Sequence, residues 1–76
     1  MSHVRAQVEQ HCRDWLLMND EGAMWLQGSK GTEWHREYLR VVEYVCHKMN
    51  HELGWRDFVL RREAIVSYVK EALERV

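Results

Sequence analysis

Proline is absent from this 76-residue chain, and glycine occurs only four times. Because proline is the strongest helix breaker, its absence allows long helices and leaves glycine to end them. Two cysteines are too few for the disulfide framework of a small secreted domain. The first residues also lack the basic-then-apolar pattern of a signal peptide, so the sequence predicts a cytoplasmic protein.

The chain also has almost no net charge. Eleven Lys and Arg residues against twelve Asp and Glu residues give a formal net charge of −1. This excludes the global basic field of most nucleic-acid binders, so any such contact needs a local patch. No apolar run approaches the roughly 18 residues that cross a bilayer, and we predict no membrane contact. A composition of 46% hydrophobic and 30% charged residues is typical of a globular domain.

Apolar residues at alternating spacings of three and four predict three amphipathic helices. They cover about residues 3–18, 33–53 and 57–75. Their predicted N-caps are Ser2, Thr32 and Asp57. Gly54 ends the second helix. We therefore predict an all-α fold, a small antiparallel three-helix bundle that forms a single domain over residues 1–76. At this size a single core gives marginal stability, and oligomerisation or partner binding is expected to add to it.

Residues 19–31 connect the first two helices and contain three of the four glycines. We predict a long irregular loop there, with at most a single helical turn. The alternative is a short hairpin that turns at residues 20–22, because residues 23–27 are largely apolar. Two short strands without a third have little independent stability, which favours the loop.

Two charged residues fall on apolar helix sides, Glu52 on the second helix and Arg62 on the third. A tight turn at Gly54 brings them near each other, and we predict an inter-helix ion pair. The alternative is that Arg62 faces an acidic group of a partner. His11 in the first apolar stripe and His35 at the margin of the second are predicted to be hydrogen-bonded core residues rather than ligands.

Several residues have the side chains of zinc ligands: Cys12, Cys46, His47 and His51. In an antiparallel bundle the two sulfurs lie about two turns apart, on the order of 10 Å, which argues against a shared site and a disulfide. The same register places His3 near His47, where a trio with His51 could bind adventitious zinc or nickel. We predict no physiological metal site and no cofactor.

The main candidate surface is a polar stripe on the second helix, away from its apolar side. The stripe consists of Arg36, Arg40, Tyr44, His47 and His51. An aromatic ring among basic residues supplies stacking and cation–π capacity, although any amphipathic helix has a polar side. Such a stripe suits an acidic protein surface. It would bind a phosphate backbone only weakly and in a salt-dependent way.

Four large side chains have no predicted core position: Leu17, Trp25, Leu60 and Tyr68. In a domain this small they indicate a homodimer or a binding patch, since aromatic side chains concentrate at interface cores. Trp25 and Tyr68 are therefore a second set of candidate partner contacts. The alternative is that the long loop folds back and covers these side chains.

No activated nucleophile, carboxylate pair or phosphate-binding loop is evident. The segment GSKG at residues 28–31 lacks the Walker spacing. Arg40 and His47, seven positions apart on one helix, loosely resemble the Arg-and-His pair of helical ribonucleases of the HEPN class. The chain is shorter than those domains, and a pattern of two residues is common by chance. We predict that the protein is not an enzyme.

The sequence favours a small regulator or adaptor that docks on a larger protein, for example as an inhibitor of a bacterial or phage-related assembly. The alternative is a nucleic-acid-binding regulator of the helix-turn-helix type. In that reading Arg56, Arg61 and Arg62 begin the recognition helix after the glycine turn. The nearby Asp57 and Glu63 and the lack of net positive charge weaken this alternative.

Overall fold

A computed structural model describes residues 3–76 and shows four α-helices, with no strand in that range. They are α1 (His3–Met18), α2 (Asp20–Gln27), α3 (Thr32–Leu53) and α4 (Trp55–Glu74). The all-α prediction is confirmed, but the count of three helices is wrong. The segment 19–31, for which we predict an irregular loop with at most a single helical turn, contains the eight-residue helix α2. The predicted N-cap Ser2 lies outside the described residues.

Helix α2 forms because tertiary contacts hold a segment that is too short to be stable alone. Asp20 and Glu21 in its first turn favour the helix dipole. Only Gly22 and Leu26 of its eight residues are buried. Trp34 of α3 donates a hydrogen bond from its indole Nε1 to the backbone oxygen of Leu26 at 3.1 Å. This contact fixes the end of α2 against the beginning of α3.

Gly22 of α2 packs closely against α1 and α3. A Cβ atom at this position would lie 2.4 Å from Cη2 of Trp15 and 2.8 Å from Oε1 of Glu37. These distances are shorter than van der Waals contact, so the position has no room for a side chain. Glycine therefore allows α2 to pack between α1 and α3.

Helices α3 and α4 form an antiparallel hairpin with a single connecting residue, Gly54. Its φ of 86° lies in the region that favours glycine. The longest dimension of the molecule is 35 Å, close to the length of about 33 Å expected for α3 alone. The two long helices therefore lie side by side. At the far end of the hairpin, Lys30 and Glu74 form an ion pair at 2.8 Å.

Two predicted helix caps are wrong, one by a single residue and the other by three. Gly31 rather than Thr32 is the N-cap of α3. Gly54 rather than Asp57 is the N-cap of α4, and its oxygen accepts a hydrogen bond from the backbone N–H of Phe58 at 3.0 Å. Because Gly54 both ends α3 and begins α4, no separate cap residue is needed between them.

The core lies between the hairpin and the two shorter helices. Its buried apolar residues are Val4, Val8, Cys12, Trp15, Leu26, Trp34, Val41, Val45, Met49, Ile65, Val69 and Leu73. Helix α1 also makes polar contacts toward both ends of the hairpin. Glu9 pairs with Arg75 at 2.8 Å near one end, and His11 Nε2 lies 2.8 Å from Oε2 of Glu52 near the other. These contacts hold α1 against both long helices.

The predicted ion pair between Glu52 and Arg62 is wrong. Glu52 is engaged by α1, where His11 contacts one carboxylate oxygen and Gln7 Nε2 donates to the other at 3.2 Å. Arg62 is exposed. His11 is largely buried, as predicted, but only its Nε2 has a partner, because its buried Nδ1 receives no hydrogen bond from residues 3–76. His35 is exposed, with its ring 6.0 Å from that of Tyr38.

Both cysteines are free thiols. Cys12 is buried, and desolvation, reinforced by the carboxylate of Glu9, raises its pKa to about 12. Cys46 is half-buried, and burial raises its pKa as well. A thiol is the neutral form, so burial in apolar surroundings favours it over the thiolate.

We expect alkaline pH to destabilise the fold through Cys12. The ordinary pKa of 9.0 applies to the unfolded chain and a pKa of about 12 to the folded chain. The contribution of Cys12 to stability is therefore complete below pH 9 and is lost as the pH rises toward 12. Urea titrations at a series of alkaline pH values should show a steeper loss of unfolding free energy in the wild type than in Cys12→Ala. Equal slopes would contradict this expectation.

Candidate functional site

The predicted polar stripe lies on the solvent side of α3. Arg36, Arg40, His47 and His51 are exposed, and Tyr44 is half-buried. The buried residues of the same helix lie on its other side: Trp34, Glu37, Val41, Val45 and Met49. The orientation of the stripe therefore follows the helical period, as the sequence predicted.

Glu37, which the sequence reasoning missed, organises one end of the stripe. Its carboxylate is buried and accepts a hydrogen bond from Nε of Arg36 at 3.2 Å. Nη1 of Arg40 lies 3.7 Å from its other oxygen. A buried carboxylate needs such partners to offset its desolvation. The sequence did carry a signal, because Glu37 stands three residues after Trp34 and four before Val41, the spacing of the buried side.

These three residues face the first turn of α2 across a polar cleft of about 450 Å³. The cleft is lined by Asn19, Asp20, Glu21, Gly22, Arg36, Glu37 and Arg40. Three carboxylates face two guanidinium groups there, so the cleft has no excess positive charge for a phosphate. Both guanidinium groups are instead engaged by Glu37 of their own helix.

The middle of the stripe forms an open groove of about 590 Å³, which we call the basic groove. It is lined by Arg40, Glu43, Tyr44, His47 and Lys48. Nζ of Lys48 lies 5.5 Å from the centroid of the Tyr44 ring, within the range of a cation–π contact. Lys48 was also missed, although its position four residues after Tyr44 places it on the same side of a helix. Arg40 and His47 share this open surface rather than an enclosed pocket.

A second groove of about 590 Å³, the outer groove, follows the seam between α3 and α4. It is lined by Leu39, Val42, Glu43, Cys46, His47, Asn50, Phe58 and Arg62. Leu39 is 52% exposed, and Trp55 and Val59 on the adjacent turns of α4 are 70% and 50% exposed. Glu43 and His47 line both grooves. The two grooves therefore form one continuous surface with a basic part and an apolar part.

The remaining candidate contacts are dispersed over other helices. Trp25 is exposed on α2. Tyr68 on α4 is half-buried against the core, and the guanidinium of Arg5 lies 4.7 Å from its ring centroid. Leu17 and Leu60 are more than three-quarters exposed, so the alternative that the connecting segment covers them is wrong. Tyr68 therefore packs against the core and against Arg5 of α1.

The histidines of the stripe do not form a metal site. Within residues 3–76 no group of three or more His, Cys, Asp or Glu side chains could hold a metal ion. The expected adventitious trio of His3, His47 and His51 is therefore wrong. Among the same residues no helix combines the length and the apolar character needed to cross a membrane.

Comparison with known proteins assigns no family to the chain, which matches no family model, no curated protein and no solved structure.

Proposed function

We propose that this protein is a small, non-enzymatic regulator or adaptor that docks on a larger protein. An inhibitor of a bacterial or phage-related assembly is an example of this class. The observation that supports it is the basic groove on α3, where exposed cations surround the ring of Tyr44. Both grooves are open and shallow, a shape that suits docking better than chemistry in a sequestered site.

The chemistry of this surface favours a protein partner with acidic side chains. In the basic groove the two cations of Arg40 and Lys48 exceed the single carboxylate of Glu43 by one charge. Arg and Tyr are enriched among the residues that dominate binding energy at protein interfaces. The expected partner surface therefore presents acidic groups to the basic groove.

The helix-turn-helix alternative has less support. That motif joins helices at a steep angle through a turn of about three or four residues, whereas Gly54 alone joins two antiparallel helices here. The beginning of α4 also exposes Trp55 and Leu60 beside its arginines. A cytoplasmic location is part of the proposal, because two free thiols suit a reducing compartment.

The proposal is tested by capturing the partner from the native source with tagged protein, with and without nuclease. We expect a defined protein to bind in both conditions. Arg40→Glu should reduce the capture at least about tenfold, because a cation facing an acidic group becomes a repelled anion. Lys48→Glu should do the same. Lys48→Glu separates a loss of binding from a loss of folding because, unlike Arg40→Glu, it introduces no negative charge beside the buried Glu37.

Arg61→Glu is the matched control, because Arg61 is exposed on α4 and lines neither groove. It should bind like the wild type. Capture that nuclease abolishes would favour the nucleic-acid alternative. Undiminished capture by both Arg40→Glu and Lys48→Glu would show that the basic groove is not the docking surface.

A further inference from the structure

The outer groove lies between a row of side chains on α3 and a row on α4. Its α3 wall includes Leu39, Glu43, Cys46 and Asn50, and its α4 wall consists of Phe58 and Arg62. Residues 55, 59 and 66 follow the side of α4 that holds Arg62, at spacings of three and four, and side chains with this spacing lie on one side of a helix. Apolar groups dominate the α4 row, and Leu39, Trp55 and Val59 are half or more exposed.

We propose that a second copy of this chain covers the outer groove, so that two α3–α4 hairpins form a four-helix bundle. A two-fold axis parallel to the helices would place α3 of each copy against α4 of the other. The hairpin suits this arrangement because its helices are antiparallel and similar in length, with 22 and 20 residues. Every helix in the bundle would then have antiparallel neighbours, the usual packing of such bundles.

The charges of the groove favour a second copy over an unrelated helix. Glu43 stands on the α3 wall and Arg62 on the α4 wall. They lie eleven residues before and eight residues after Gly54, so their heights along the hairpin differ by about 4.5 Å. The two-fold axis would therefore bring Glu43 of each copy opposite the partner's Arg62. An acidic helix would meet repulsion from Glu43, and a basic helix would meet repulsion from Arg62.

The areas are also consistent with a dimer. The accessible surface is 5360 Å², whereas a monomer of this mass typically has about 4,900 Å². Two helices about 30 Å long and 10 Å wide present a projected face of roughly 600 Å². A standard interface buries about 800 Å² of accessible surface per partner. A ridged helical face has more accessible surface than its projection, so the hairpin can supply this area.

The dimer would leave most of the basic groove accessible, because Arg40, Tyr44 and Lys48 lie on another side of α3 from Leu39. Two basic grooves would be displayed on one particle, which would allow bivalent docking. The dimer does not depend on the proposed function, since it can be measured on the purified chain without any partner.

Sedimentation equilibrium of the purified full chain at about 100 μM should give twice the chain mass of 9.2 kDa. Even with a dimer Kd of about 10 μM, most chains would be dimeric at this concentration. Glu43→Arg and Arg62→Glu each place two like-charge contacts in the dimer, and each should weaken dimerisation at least about tenfold. Mixing the two variants should restore it as a heterodimer, because both contacts then join opposite charges. Native mass spectrometry distinguishes the heterodimer from the homodimers.

Arg61→Glu, which changes the same charge on a side of α4 outside the groove, should dimerise like the wild type. Leu39→Lys changes an exposed residue of the groove, so the variant should stay folded. It should keep the helical circular dichroism of the wild type but no longer dimerise. A wild-type monomer at about 100 μM would overturn the proposal. So would a mixture of Glu43→Arg and Arg62→Glu that forms no heterodimer, or a Leu39→Lys protein that remains dimeric.

Discussion

Replacing Gly22 by alanine is expected to lower the free energy of unfolding by about 1–3 kcal/mol, the usual cost of overpacking a filled core. The added Cβ would lie 2.4 Å from the indole of Trp15 and 2.8 Å from the carboxylate of Glu37. Either α2 moves away or these two buried groups shift. Urea denaturation followed by circular dichroism measures the loss.

Gly28→Ala is the matched control for this change. A Cβ atom at Gly28 would meet backbone oxygens at 3.6 and 3.9 Å, which is ordinary van der Waals contact. The stability of this variant should remain within about 0.5 kcal/mol of the wild type, as for most substitutions that disturb no buried contact. Equal stability of Gly22→Ala and Gly28→Ala would contradict the close packing of α2 on α1 and α3.

Met49→Ala is expected to have a larger effect, a loss of about 2–5 kcal/mol of unfolding free energy. Met49 has no solvent exposure and is the largest of the fully buried side chains. Truncation removes buried apolar surface and leaves a cavity that the surrounding helices fill only partly. A domain of this length typically has about 4–11 kcal/mol of total stability. A measurable fraction of the variant should therefore be unfolded at physiological temperature.

Met24→Ala provides the control for this second change, because the same atoms are removed from a side chain that is 62% exposed. Its stability should remain within about 0.5 kcal/mol of the wild type. If dimerisation stabilises the fold, unfolding should be compared at matched protein concentrations, because the apparent stability of a dimer depends on concentration. A Met49→Ala protein as stable as Met24→Ala would contradict the position of α3 in the core.

The proposed dimer and the proposed docking surface assign different tasks to the two sides of α3. The apolar side near Leu39 would associate with a second copy, and the side with Arg40 and Tyr44 would contact a larger protein. His47 lies at the border of the two grooves. Substitution at His47 would therefore affect both surfaces, whereas Lys48→Glu and Leu39→Lys separate them.

The three long helices could be predicted because each repeats its apolar spacing over at least four turns. The bounds of α1 agree with the prediction, and those of α3 and α4 differ from it by at most about two residues. The orientation of the stripe was determined in the same way, since the helical period fixes which side a residue occupies once the buried side is known. Gly54 correctly marked the tight turn between α3 and α4.

Tertiary structure decided the features that depend on contacts between helices. Eight residues of α2, with only two of them buried, carry too little periodic signal, and this helix exists because Gly22 admits the indole of Trp15. The partner of Glu52 is His11 rather than Arg62, because that choice depended on where α1 lies. The outer groove also depends on how the helices pack against one another. Periodicity shows which side of each helix is apolar, but only the packed arrangement shows which apolar side chains remain uncovered.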